Sequence, residues 1–133
     1  MTENNKPQVG RAEGAEDSSA SAISPDCAAI MVYATFPAID AAMEVGRSLV
    51  EERLAGCINI LPGMTSIYPW EGRIETATEA VLIAKTIAGR AGCCIDFIRA
   101  RHAYDVPAIM VLPVIGGSEG YLEWLRSGVA AKP

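Results

Sequence analysis

The sequence predicts an α+β fold: a four-stranded antiparallel sheet, helices over one of its faces, and an extra helix at the C-terminus. Three observations carry that expectation. Apolar runs of strand character alternate with runs of helical period in the order strand, helix, strand, hairpin, strand, helix, strand, helix. Two long strand-like runs meet at Glu71-Gly72, the kind of pair that a tight hairpin turn joins. The 133 residues, half of them apolar, suffice for one domain with a real core and are too few for two comfortable ones.

Each element has its own reason. Residues 1–26 are rich in Gly, Ala, Ser, Glu and Asn and lack any period, so they are expected as a disordered tail before a single domain over 27–133. "AAIMVYATF" (28–36) is short, apolar and followed by Pro37, as in a buried strand. The next segment places Ile39, Ala42, Met43, Gly46, Leu49, Val50 and Leu54 at helical spacing, with Gly56 where a helix stop is expected. "CINILPGMTSIYPW" reads as a strand bent or bulged at Pro62-Gly63, and residues 73–87 return from the Glu71-Gly72 turn. Ala91, Cys94, Ile95 and Ile98 form a second helical stripe, whose last turn is expected to hold Arg99, Arg101 and His102 beside the negative end of the dipole. "AIMVLPV" (108–114) is the final strand, and Ser118 suits the N-cap of a closing helix. That order is the ferredoxin-like split βαβ sandwich with an extended central hairpin.

The hairpin adds an expectation of its own. About 14 residues per arm span roughly 45 Å if straight, whereas a domain of this size is only some 30–35 Å across. Part of the hairpin must bend or overhang, and an overhanging apolar ribbon calls for a cover. A second subunit is the natural one.

Composition excludes several classes. No apolar run approaches the roughly 20 residues of a membrane helix, and the N-terminus shows no basic start before an apolar block. A cytoplasmic location is the expectation, with no membrane partner. Of the net charge of −5, the first 26 residues carry five acids and two bases, which leaves a near-neutral body without the basic footprint of a nucleic-acid binder. Cys27, Cys57, Cys93 and Cys94 contain no C-x-x-C and indicate neither a zinc knuckle nor a disulfide framework.

"LVEERLAGCINILPGMTSIYPWEGRIE", "VLIAKT", "RHAYDVPAIMVLPV" and "YLEWL" together resemble the CutA divalent-cation tolerance family, over about residues 31–126. The resemblance implies a cytoplasmic, ferredoxin-like homotrimer, related in architecture to PII signalling proteins and tied to tolerance of copper and other divalent ions. It implies no enzymatic activity and no obligatory cofactor. The family's copper ligands are attributed to a cysteine just before the first-strand threonine and two adjacent histidines ending the second helix. Here those positions hold Ala34, Arg101 and His102, so only His102 carries over, and the family's "HPY" is "HAY".

Candidate sites follow with their simpler alternatives. His102, the only histidine, is either a helix-end residue held by a polar neighbour or a ligand for copper or another divalent cation. As a ligand it needs companions such as Cys57, Asp105 or a group from another subunit. Glu71, Glu75 and Glu79 share a strand face as a solubilising surface or a weak cation face. Cys93 and Cys94 point about 100° apart on a helix and chelate poorly together. Gly116-Gly117-Ser118 opens a helix but lacks a wider phosphate-binding pattern. Tyr68 and Trp70 either pack at a subunit contact or, with Tyr104 and with Lys85 as anion anchor, wall an inter-subunit cleft for a small ligand. Three functions therefore compete: a non-enzymatic trimer concerned with divalent cations, a PII-like metabolite sensor, and an enzyme using His102, Tyr104 and Asp105, the least supported.

Overall fold

The computed structural model describes residues 23–130. Most of the expected tail lies outside them, and its last residues enter a 3-10 turn, Pro25–Cys27, that packs on a second one, Ala88–Arg90. Between these turns the Ala88 amide donates to the Ala28 carbonyl at 2.8 Å.

Four strands, β1 (Ala29–Phe36), β2 (Cys57–Trp70), β3 (Arg73–Ile87) and β4 (Ile109–Pro113), form one sheet in the order β2-β3-β1-β4. Every neighbouring pair is antiparallel. Helices α1 (Ile39–Glu51) and α2 (Ala91–Ala100) cover one face, because alternation along β1 turns Ile30, Val32, Ala34 and Phe36 to that side. These residues, with Leu82 and Ala84 of β3, close on Ala42, Val45 and Leu49 of α1 and on Cys94 and Ile98 of α2. Each large side chain so buried contributes roughly 1.5–3 kcal/mol. None of the described helices is long and apolar enough to cross a membrane.

The buried stripe of α1 differs from the expected one. Ala42, Val45, Gly46 and Leu49 are buried, while Ile39, Met43 and Val50 are exposed. The segment holds more apolar residues than one face can present, so the sheet selects the four that meet it. The helix also ends earlier than Gly56. Leu54 N–H reaches Leu49 O at 2.9 Å and Arg53 N–H reaches Val50 O at 3.0 Å, with Arg53 left-handed at φ 59°. This is the Schellman stop, with arginine where glycine is usual. Gly56 serves the packing instead. A Cβ there would stand 2.8 Å from Leu125 Cδ1, so its bareness admits the third helix, α3 (Glu119–Ala130). His102 is likewise corrected: α2 stops at Ala100 with Arg101 as its cap, and the histidine lies beyond the helix.

The hairpin arms are 14 and 15 residues long. Glu71 (φ 49°) and Gly72 (φ 80°) are both left-handed, as a two-residue type I′ turn requires. The register shifts between Leu61 and Met64, where Gly63 has φ 71°, so Pro62-Gly63 is a bulge. β1 pairs with β3 only as far as Phe36↔Ala80, so Arg73–Glu79 pairs with β2 alone. These seven residues form a two-stranded ribbon roughly 23 Å long that overhangs the sheet.

A helix covers the second face of the sheet at one end only, where Leu125 and Val129 of α3 are buried beside Gly56. Farther along, Leu61 and Met110 stand 54 % and 58 % exposed, and Trp70 on the ribbon 57 %.

Candidate functional site

His102 is fixed by three contacts. Its ring stacks on Phe36, with centroids 4.6 Å apart and planes 25° apart. Nδ1 accepts the Tyr104 amide N–H at 3.1 Å, so the ring proton sits on Nε2, which donates to Thr35 O at 2.6 Å. Both nitrogens are therefore engaged within the chain, and a metal at His102 has to displace one of these partners. The neighbouring positions turn elsewhere. Ala34 is buried in the helix-side core, and Arg101 lies 3.5 Å over the Phe97 ring while donating to Phe97 O. Cys57 pairs with Lys85, four residues along β3 from the Val81 that pairs with Thr35, and so stands well away from His102. Asp105 is exposed in the loop beyond it. Among the described residues, no group of three or more His, Cys, Asp and Glu side chains gathers in metal-ligand geometry.

The histidine sets the loop that carries Tyr104. The two rings lie 5.0 Å apart, and Tyr104 Oη donates to Glu79 Oε2 at 3.2 Å. Ser66 Oγ donates to the other carboxylate oxygen at 2.7 Å. Strand alternation explains the meeting, because Met64, Ser66, Tyr68 and Trp70 share a face with Glu79, Ala77, Glu75 and Arg73. Burial first, then the Glu79 charge and hydrogen bond and the nearby Tyr68, push the Tyr104 phenol above its ordinary value. It remains a neutral hydroxyl donor near neutral pH. Sequence reasoning named Glu79 as part of a charged face and missed its role as the anchor of Tyr104: the two are 25 residues apart, and only the pairing of the sheet brings them together.

The four cleft candidates do not converge within one chain. Tyr68 and Tyr104 meet near Glu79, with Trp70 one step farther along the same ribbon face. Lys85 lies twelve residues along β3 from the Arg73 that pairs with Trp70, roughly 40 Å away on an extended strand. Its ammonium instead donates to Tyr121 Oη at 3.4 Å. The glutamate series also separates: Glu71 belongs to the turn, Glu75 is bridged by Arg73 at 3.1 Å, and both oxygens of Glu79 accept hydroxyls. Cys93 is exposed, whereas Cys94 is buried 3.1 Å from Leu54 O, and burial pushes its thiol up to about 12. Ser118 opens α3 by accepting the Leu122 N–H at its carbonyl.

Known proteins share this fold. Residues 30–128 match the model of the CutA1 divalent ion tolerance protein family. The chain is 43 % identical over 98 residues to the Arabidopsis thaliana "Protein CutA, chloroplastic", covering 74 % of this chain and 54 % of that protein. It thus spans about half the length of the plant relative. It is 36 % identical over 105 residues to the "Divalent-cation tolerance protein CutA" of Pectobacterium atrosepticum, 79 % of this chain and 96 % of that one. The crystal structure of CutA1 from Oryza sativa superposes with a TM-score of 0.76 at 38 % identity, over 82 % of this chain and all of that one. With the family model spanning the sheet, both packed helices and most of α3, this chain belongs to the CutA1 divalent ion tolerance family.

Proposed function

We propose that the protein works as a non-enzymatic homotrimer of ferredoxin-like subunits in tolerance of divalent cations, copper foremost, in the cytoplasm, and that it binds the ion weakly. The observation that carries the assembly is the overhanging ribbon: Trp70, Ile67 and Ile74 are more than half exposed beside the open face bearing Leu61 and Met110. Apolar surface on an unpaired ribbon is a liability until another chain covers it. The cation role is supported by the names that the family and its bacterial members carry. Weak binding is supported by His102, whose two nitrogens already serve Thr35 and Tyr104, and by Ala34 and the permanently charged Arg101 at the other ligand positions.

Calorimetric titration of Cu(II), Cu(I) and Zn(II) into the assembled protein, beside His102→Ala, tests this reading. We expect Cu(II) affinity no tighter than micromolar, and nanomolar binding through His102 would overturn the weak-site reading. A PII-like sensor of a small metabolite at inter-subunit clefts is the second reading. It is favoured by the Tyr68, Tyr104 and Glu79 cluster on a face that an adjoining subunit would roof.

A further inference from the structure

A cavity lies at the opposite end of the sheet face from the Tyr104 cluster, and its chemistry differs. It is an open hollow of about 200 Å³, lined by Ile30 and Met31 of β1, Leu122 and Leu125 of α3, and the loop from Val114 to Ser118. Lys85 and Tyr121 supply its polar side-chain groups, together with Ser118 at the mouth. The Lys85 ammonium is partly buried, 5.3 Å from the Tyr121 ring centroid, with only a long 3.4 Å hydrogen bond to that phenol. Among the described residues it forms no ion pair with a carboxylate. Burial first, then the charge and hydrogen bond of Cys57, push Tyr121 up to about 12, so the phenol does not serve as the counter-ion near neutral pH.

A partly buried ammonium without an opposite charge has given up some hydration, and an anion is the partner that offsets this best. The start of α3 meets the same cavity at Ser118, while Glu119 in its first turn is turned to Arg126 at 3.8 Å. The remaining walls are aliphatic, so the anion that fits carries an apolar body. The cavity has the share of roughly six or seven waters at about 30 Å³ each, which bounds the ligand to a small organic acid.

We propose that this cavity binds a small monocarboxylate with a branched apolar body, its carboxylate on Lys85 Nζ and its hydrocarbon against Met31, Leu122 and Leu125. The site is independent of the cation reading, because it uses neither His102 nor the glutamates. Titration of isovalerate into the full-length assembled protein, in the presence of a chelator, reads binding by calorimetry and by shifts of the Leu122 and Leu125 methyl resonances. The expected result is saturable binding, with isovaleramide at least tenfold weaker because it lacks the charge. Lys85→Met, which keeps the aliphatic stem, loses at least tenfold in isovalerate affinity. Gly117→Val keeps the ammonium but fills the cavity, since a Cβ there starts 3.6 Å from Leu122 Cδ1, and it also loses binding. Should Lys85→Met fail to fold, the amide comparison and Gly117→Val decide. Absence of saturable isovalerate binding, equal affinity for the amide, or unchanged affinity in either variant overturns the proposal. A carboxylate from a second copy of the chain seated on Lys85 in the assembly overturns it as well.

Discussion

At the scale of single residues, His102 shows how much one side chain organises. It links Thr35 of β1 to the loop bearing Tyr104, and so fixes the hydroxyl that reaches Glu79. His102→Ala removes two hydrogen bonds and a stacked ring, and we expect it to cost about 2–3 kcal/mol in chemical denaturation at fixed protein concentration. It should also release Tyr104 from Glu79, which a downward shift of the phenol titration would report. Cys94 gives a second prediction, of alkaline sensitivity. Its folded pKa of about 12 lies above the ordinary 9.0, so only the unfolded chain ionises between those values. Stability from this group is full below about pH 9 and falls as pH rises toward 12, by on the order of a few kcal/mol. Cys94→Ala should flatten that limb of the stability profile. The sequence marked His102 and Tyr104 as worth attention, but the hydrogen-bond partners of the imidazole lie 67 and 2 residues away, and only the nearer one is a local feature.

At the scale of elements, the hairpin is the most local feature of the fold and the most legible. Two left-handed residues close it, and only one of them is glycine. Glu71→Asn should stabilise by about 0.5 kcal/mol, because asparagine tolerates that conformation better, and Gly72→Ala should destabilise by about 1 kcal/mol or more. Midpoints of urea unfolding measure both. The docking of α3 is the opposite case. It depends on the missing side chain of Gly56, on Leu125 and Val129, and on Arg90, whose guanidinium donates to Val129 O at 3.0 Å. Gly56→Val should overpack this contact at a cost of about 1–3 kcal/mol. Faster hydrogen exchange confined to the α3 amides would identify the loss. Nothing in the run "RLAGC" announces that contact, because its partner is about 70 residues away.

At the scale of the whole molecule, the helix-covered face is closed and the other is not. Val32, Ala34 and Leu82 are fully buried, whereas Leu61 and Met110 on the other face stay more than half exposed, as do Ile67 and Ile74 where the ribbon carries the helix side beyond the helices. The homotrimer proposed above predicts, in light scattering, a mass three times that of the chain at micromolar concentration. Leu61→Glu combined with Met110→Glu should lower it to that of one chain while leaving the helical circular dichroism largely intact, because neither residue belongs to the helix-covered core. A wild-type mass equal to that of a single chain would defeat the assembly reading.

What the sequence determined by itself is what short-range physics controls: the period of each apolar run, the Glu71-Gly72 turn, the Pro62-Gly63 bulge and the order of the elements, together with motifs dense enough to reveal the family. Backbone conformation depends on a residue and its near neighbours, so these features were legible without a fold. Tertiary structure alone decided which four residues of α1 face the sheet, why Gly56 has no side chain, which partners hold both nitrogens of His102, and that Lys85 and Trp70 stand at opposite ends of one sheet. Each of these depends on groups far apart in the chain meeting across the sheet, and strand pairing sets those meetings through a register that no short window of sequence contains.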